Sequence, residues 1–230
     1  MLTTNYGYSK KDKIKGLALP NEFTPALAYL CGIFAGDGSI NIKESKSDYF
    51  LKCVGNPKDE KPLYFDVIGP LFKETFGFLP NMKLYDGGTI FGFVVYSRAL
   101  IYYLTNEGGL PYGKKYNRLC VPKIFLKDEK LLMHFLRGLF DTDGCVCFKK
   151  RHKNYPYYPV ITLVSKSEIL IRDVSISLKQ FGFRVYESYN CRRRDDRVKK
   201  GFTVISRVDL AGKSNLMLWM SDIGFSSPNI

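Results

Sequence analysis

The feature that most limits what this chain can fold into is an internal repeat. Residues 32–38 read GIFAGDG and residues 138–144 read GLFDTDG, which sets Asp37 and Asp143 106 residues apart in matched frames. Downstream, NPKDE at 56–60 aligns with VSKSE at 164–168, pairing Lys58 with Lys166 at a spacing of 108. TFGFLPNMKLY at 75–85 then aligns with QFGFRVYESY at 180–189, pairing Gly77 with Gly182 at 105. Three landmarks in one order at nearly one offset imply two structurally equivalent halves.

Each half can be read for its elements. Thr24-Pro25 is a helix start, with Thr as the cap and Pro at the first helical position, and the helix runs to about Gly36. SINIKES and DYFLKCVG read as strands; Ile40 and Ile42 share one face, and Ser39, Asn41 and Lys43 the other. KPLYFDVIGPLFKETFG is helical in pattern, with Gly69-Pro70 expected to kink or break it. MKLYDGGTIFGFVVYS reads as a hairpin about Asp86-Gly87-Gly88, and RALIYYLTNEGG as a short helix ending at glycines. In the second half, Asp128 caps a helix to about Asp141, CVCFKK and PVITLVS are strands, and SEILIRDVSISLKQFG is a helix. FRVYESYN and GFTVISRVDL are strands joined by a long basic loop, and SNLMLWMSDIG is a final helix. The order is αββαββα in each half. The expectation is an α+β chain of two pseudo-symmetric halves, each with a four-stranded antiparallel sheet. The expected divisions are a basic N-terminal arm (1–24), a first half (25–108), a connector (109–127) and a second half (128–230).

The two helices carrying the repeat have an unusual face. Leu131, Phe135, Gly138 and Thr142 fall on one side of the second, with His134, Arg137 and Asp141 opposite. Tyr29, Gly32 and Gly36 form the matching face of the first. Glycine inside a helix costs about 1 kcal/mol against alanine, a cost that is tolerable where another backbone must come close. The two helices are therefore expected to pack on each other through their glycines. Packed in parallel, they would bring Asp37 and Asp143 out together at one end. Both acids sit where the helix dipole is already negative, so a cation should compensate them. Carboxylate oxygens suit Mg²⁺, which shares phosphate oxygens with a substrate. DTDG could also open a calcium loop, but its twelfth position would be His152, which excludes that reading.

Charge points the same way. The chain of 230 residues carries a formal net charge of +13, which calls for a polyanionic partner, nucleic acid before an anionic membrane. At 45% hydrophobic residues it can bury a core, yet its longest apolar run, 26–36, is too short to cross a bilayer. The six cysteines form no CxxC pair and read as reduced, and only His134 and His152 are histidines, which disfavours a histidine-metal nuclease. The start lacks a secretory signal pattern, so a cytoplasmic or organellar location is expected, not secretion. A divalent metal beside a basic surface makes phosphodiester hydrolysis the reaction class.

LCGIFAGDG (30–38) and LRGLFDTDG (136–144) resemble the motif of LAGLIDADG homing endonucleases, enzymes encoded in mobile introns and inteins. The resemblance spans essentially the whole chain. It implies a monomer whose two sheets form a saddle over duplex DNA, making a metal-dependent staggered double-strand cut in a long target. The family's metal-binding acids fall on Asp37 and Asp143, with Gly36 and Thr142 beside them in the expected metal cluster. The metal implied is Mg²⁺ or Mn²⁺, with Ca²⁺ binding without supporting cleavage. The sixth motif position is Ala35 in one half and Asp141 in the other, and no role is carried onto Asp141. A basic residue near each scissile phosphate falls on Lys58 and Lys166, to stabilise charge or position the attacking water. Ser165 has Pro57 as its counterpart, so the two sites differ in their hydrogen bonding.

On the sheet faces left open by the helices, the residues expected to face DNA are Asn41, Lys43, Lys83, Tyr85, Lys149, Arg151, Arg184, Tyr186 and Asn190. The loop CRRRDDRVKK (191–200) adds Arg192, Arg193, Arg194 and Lys199 as phosphate contacts. KKDKIK at 10–15 reads either as an extra arm or as a tail. Two other functions remain open at this point: an intron RNA maturase on the same scaffold, and a catalytically silent DNA-binding regulator.

Overall fold

In a computed structural model of the chain, residues 6–150 and 157–228 are described. Two compact units are present. The first comprises residues up to 113, 122–142 and the stretch from 225; the second comprises 114–121 and 143–224.

The first unit begins with helix α1 (Lys10–Lys15), where a capping box pairs the Ser9 hydroxyl with the Asp12 amide and the Asp12 carboxylate with the Ser9 amide. KKDKIK is thus an ordered element. The chain after it is anchored by the Ala18 amide on the Phe76 carbonyl, and Lys15 Nζ donates to the Tyr96 carbonyl. Helix α2 (Pro25–Gly36) is capped by Thr24, which accepts from the Leu27 amide. Strands β1 (Gly38–Lys43) and β2 (Asp48–Gly55) follow, then a helical stretch, then β3 (Met82–Tyr85) and β4 (Ile90–Tyr96). The sheet order is β1-β2-β4-β3, all antiparallel. The hairpin turn at Asp86-Gly87-Gly88 has three successive positive φ angles, which two glycines make affordable.

The helical stretch survives Pro70. Leu63–Ile68 is a π turn that runs directly into α3 (Gly69–Phe76), and the Gly69 amide bonds back five residues to the Tyr64 carbonyl. The wider turn takes the carbonyls out of the i−4 register that a proline ring would strike, so the expected break becomes a change of pitch. The same device extends α4 (Arg98–Tyr102), capped by Ser97, into a π turn over Tyr103–Glu107.

Helix α5 (Glu129–Asp143) starts where Asp128 accepts from the Leu131 amide, and runs to Asp143, two residues beyond the expected end. By packing, α5 up to Thr142 belongs to the first unit, although by repeat it opens the second half. It crosses α2 at its glycines. A β-carbon on Gly32 would lie 2.1 Å from the Phe135 carbonyl oxygen and 2.8 Å from the Leu139 nitrogen. A β-carbon on Gly138 would lie 2.2 Å from the Tyr29 oxygen and 3.0 Å from the Ile33 nitrogen. Each glycine therefore sits on one i→i+4 hydrogen-bond site of the other helix, and neither has room for a methyl group.

The second unit carries β5 (Gly144–Lys149), β6 (Tyr158–Ser165), α6 (Glu168–Gln180), β7 (Val185–Arg194), β8 (Phe202–Ala211) and α7 (Lys213–Asp222). Its sheet order is β5-β6-β8-β7, again antiparallel, which repeats the first unit's topology. Leu163, Val208 and Leu210 face Leu170, Ile171, Val174 and Leu178 of α6 in one buried layer, closed by Trp219 of α7. The basic stretch expected as a loop is partly strand. Pairing of β7 with β8 resumes beyond a bulge between Ser188 and Cys191, so Cys191–Arg194 lies opposite Phe202–Ile205. No disulfide joins the six cysteines. No described helix is long and apolar enough to cross a membrane.

Candidate active site and nucleic-acid interface

Asp37 stands at the C-cap of α2, where its amide still bonds to the Ile33 carbonyl. Its carboxylate Oδ2 accepts from the Tyr64 hydroxyl at 3.2 Å. Tyr64 is fully buried, and burial, then the nearby Cys53 and Asp37, push its pKa far up, so the hydroxyl stays a proton donor. Gly55, at the end of β2, makes room for a second acid. A β-carbon there would overlap the Glu60 carboxylate and come 3.1 Å from Asp37 Oδ2. Glu60 is turned into this space by accepting from the Asn56 amide. Two carboxylates thus meet beside one glycine. Oxygen donors of this kind fit a hard divalent cation that completes its shell with water and phosphate. Among the described residues no group of three or more His, Cys, Asp or Glu is arranged to hold a metal.

Asp143, the last residue of α5, is exposed as a residue, yet protein atoms crowd its carboxyl. That loss of water raises its pKa, and Lys115 pulls the other way. Lys115 belongs to the connector, and nothing in the sequence singles it out. Its signal there was only one cation in a run of basic residues. The segment that carries it is tied to α6 by Ser167, which donates to the Leu119 carbonyl at 2.6 Å, and by Asp173, which accepts from the Val121 amide at 3.1 Å. Thr142 turns its hydroxyl back onto the Gly138 and Leu139 carbonyls, leaving its main-chain oxygen as the group it could offer a metal. Gly36 likewise has only main-chain atoms to offer.

The two lysines expected near scissile phosphates are both exposed at helix-start turns. The Lys58 amide donates to Asn56 Oδ1 at 3.0 Å, closing the turn that carries it. Lys166 holds its ammonium 5.1 Å from the Tyr116 ring centre and lines an open cleft with Ser165, Arg193, Arg194 and Arg197. The Ser165 hydroxyl accepts from the Ser167 amide, a bond that Pro57 has no means of making.

Asp141 is not part of the acidic pair. The sequence places it opposite the glycines and gives it no role; it is 3% exposed. It accepts from the Tyr29 hydroxyl at 2.7 Å and from the Ser226 amide at 3.0 Å, joining α2, α5 and the C-terminal stretch. Burial raises its pKa and these hydrogen bonds oppose that rise. Its work is structural.

Cross-strand register sorts the expected DNA-facing residues. In the first sheet Asn41 and Lys43 pair with Phe50 and Asp48, and Lys83 and Tyr85 pair with Gly92 and Ile90; all share the face not packed on helices. Lys52 lies on that face too and was missed, although it follows the same alternation. Lys52 and Lys83 place their ammonium groups 5.6 and 5.2 Å from the Tyr85 ring centre. In the second sheet Lys149 pairs with Tyr158, and Tyr186 with Asp209, again on the open face. Arg184 precedes β7, with its main chain held by Asn215 and the residue exposed. Asn190 does not join them. The bulge gives it φ 52°, and its side-chain amide turns to Glu168 on the helix-covered side. Beyond the bulge Arg193 pairs with Thr203 on the open face, whereas Arg192 stacks 5.0 Å from Phe202 on the other. Arg194 binds Asp196, and Lys199 is exposed in the turn between β7 and β8. Arg151 lies outside the described residues.

The sequence profile of the LAGLIDADG-like domain matches residues 130–218. The homing endonuclease I-DmoI, in complex with DNA and Ca, has this fold: TM-score 0.59 at 19% identity, covering 89% of this chain and 93% of that one. I-DmoI has also been seen with DNA and Mn, and a glycine-to-serine variant of it with target DNA in the presence of Mg. The homing endonuclease I-WcaI bound to its DNA recognition sequence aligns with TM-score 0.53 at 15% identity, over 93% of this chain and 92% of that one. A different relative is the isomerizing glutamine–fructose-6-phosphate aminotransferase of Methanocaldococcus jannaschii, 23% identical over 208 residues. That match takes in 90% of this chain but only 17% of the aminotransferase, so the chain spans less than a fifth of that relative. Motif, topology and profile together define an α+β chain with the homing-endonuclease fold. Residues 130–218 are thus similar to a LAGLIDADG-like domain, and the motif that opens that stretch occurs twice in the chain.

Proposed function

We propose that this protein is a site-specific endonuclease that makes a divalent-metal-dependent, staggered double-strand cut in a long DNA target. The observation that carries the reading is the reciprocal seating of Gly32 and Gly138. Each motif helix meets the other at its glycine, and each reaches an acid five residues further on, at Asp37 and at Asp143. Such construction spends two helix-interior glycines on the placement of two carboxylates.

A bound Mg²⁺ or Mn²⁺ would supply charge stabilisation at the phosphodiester and a more acidic water. Asp37 and Asp143 would each hold a cation through carboxylate oxygens, and the Tyr64 hydroxyl fixes the orientation of Asp37. Lys58, Lys166 and Lys115 would stabilise negative charge that develops on the phosphate or orient the attacking water. The open faces of the two sheets would receive the duplex, with Lys43, Lys52, Lys83, Lys149 and Arg193 supplying positive charge. The chain acts as a monomer, since it contains both motifs. Similarity of nearly the whole chain to less than a fifth of an aminotransferase is what a mobile inserted element leaves behind, which agrees with a homing role. No observation favours intron RNA over duplex DNA as the partner.

The test is cleavage. A target duplex is first selected from a randomised library with Ca²⁺ present, then cloned into a supercoiled plasmid and challenged with protein and Mg²⁺. Linear product is expected from the wild type and is lost in Asp37→Asn and in Asp143→Asn. Undiminished linearisation by both variants would overturn the mechanism.

A further inference from the structure

Among the described residues, the open face of the second sheet carries one acid, Asp209, among its cations. Arg207 and Asp209 are two residues apart on β8, an interior strand flanked by β6 and β7, and both point to the open face. Arg207 Nε donates to Asp209 Oδ1 at 2.8 Å, and its Nη2 lies 2.7 Å from the same oxygen. Thr162, directly across on β6, donates to that oxygen at 2.5 Å, and Arg207 Nη2 lies 3.5 Å from the Thr162 hydroxyl. The guanidinium is therefore gripped along its Nε–Nη2 edge. Among the described residues its Nη1 has no acceptor. Nη1 is thus the end of the guanidinium left to donate to a ligand on the open face, beside an Nη2 that Asp209 and Thr162 hold in place.

A carboxylate on a surface that meets phosphates is repulsive unless it does something else. An ordinary exposed ion pair would contribute almost nothing to stability. Fixing an arginine in one orientation is a sufficient reason for it: a side chain already immobilised loses less freedom when it binds. The end-on edge of a guanidinium matches guanine O6 and N7 in the major groove, which admits a two-stranded ribbon such as β7–β8.

We propose that Arg207 reads a guanine in the major groove of the target, and that Asp209 and Thr162 are positioning residues that set the angle at which it does so. This rests on the reading of the chain as a duplex-DNA recognition protein. It assigns base specificity to a group distinct from the phosphate-facing arginines near the β7–β8 turn.

The experiment selects bound duplexes from a fully randomised library in Ca²⁺ with the wild type, Arg207→Lys, Arg207→Ala, Asp209→Asn and Lys199→Ala, each checked for folding by circular dichroism. The wild-type consensus should contain a guanine whose preference falls by roughly 5- to 150-fold in both Arg207 variants. Asp209→Asn should weaken preference at that same position by less, with the rest of the consensus retained. Lys199→Ala should lower affinity for all sequences alike. Arg207→Lys keeps the charge and the fold, so an unchanged consensus in that variant overturns the inference while leaving DNA recognition intact. A wild type that enriches no sequence overturns the recognition reading, and the inference with it.

Discussion

Replacing Gly32 with alanine tests the helix crossing. The new methyl would sit 2.1 Å from the Phe135 carbonyl oxygen and 2.8 Å from the Leu139 nitrogen, both main-chain atoms that cannot rotate aside. Relief requires the helices to separate by about 1 Å to restore an ordinary carbon–oxygen contact, and a gap of that size forfeits a quarter to a half of each dispersion contact across it. Tyr29, Ile33, Phe135 and Leu139 are all buried at this crossing. Overpacking of this kind costs about 1–3 kcal/mol, and immobile backbone on both sides puts Gly32→Ala at the upper end. Alanine's better helix propensity returns about 1 kcal/mol, for a net loss of about 2 kcal/mol. Gly138→Ala should cost about the same. The double variant should cost distinctly less than the sum, because one separation relieves both clashes. Urea unfolding followed by circular dichroism gives all three values. Stabilisation of about 1 kcal/mol by Gly32→Ala would show an unconstrained helix glycine and refute the crossing.

Other consequences follow from individual contacts. Tyr29→Phe removes the hydroxyl that Asp141 accepts from, and should lower unfolding free energy by about 1–3 kcal/mol while leaving the DNA consensus unaltered. His134 is held below its ordinary pKa by burial, then by Arg137 and Lys130. The folded state therefore resists its protonation, and stability present above the unfolded pKa of about 6.5 is lost as pH falls below it. His134→Gln should flatten that decline when urea midpoints at pH 7.5 and 5.5 are compared. Arg193→Ala and Arg194→Ala should each reduce the slope of log affinity against log salt by about 1, read by fluorescence anisotropy on one duplex.

Much of this architecture was legible because its signals are local. Thr24-Pro25 and Asp128 mark helix starts by cap chemistry that needs only a few neighbours, and Gly77 and Gly182 end the next helices by accepting positive φ. The repeat supplied the rest, since two copies of one topology confirm each other. What escaped depends on distant partners. Pro70 reads as a breaker until the π turn before it is known. Cys191–Arg194 reads as loop because arginines are poor strand markers, whereas the pairing that makes it strand comes from Phe202–Ile205. One extra residue at the bulge then sends Asn190 to the helix side, a reversal that alternation alone has no way to foresee. Asp141 reads by helical angle only as lying opposite the glycines, and its burial comes from a C-terminal stretch 85 residues away. Lys115 gains meaning only from its nearness to Asp143.

The central proposal is that Asp37 and Asp143 each hold a divalent cation. The most direct test is calorimetric titration of Ca²⁺ into the protein bound to its selected duplex, wild type against the Asp37→Asn/Asp143→Asn double variant. A binding isotherm in the wild-type complex, absent from a double-variant complex that still holds DNA, is the predicted result. An isotherm of equal affinity and stoichiometry in both would contradict it.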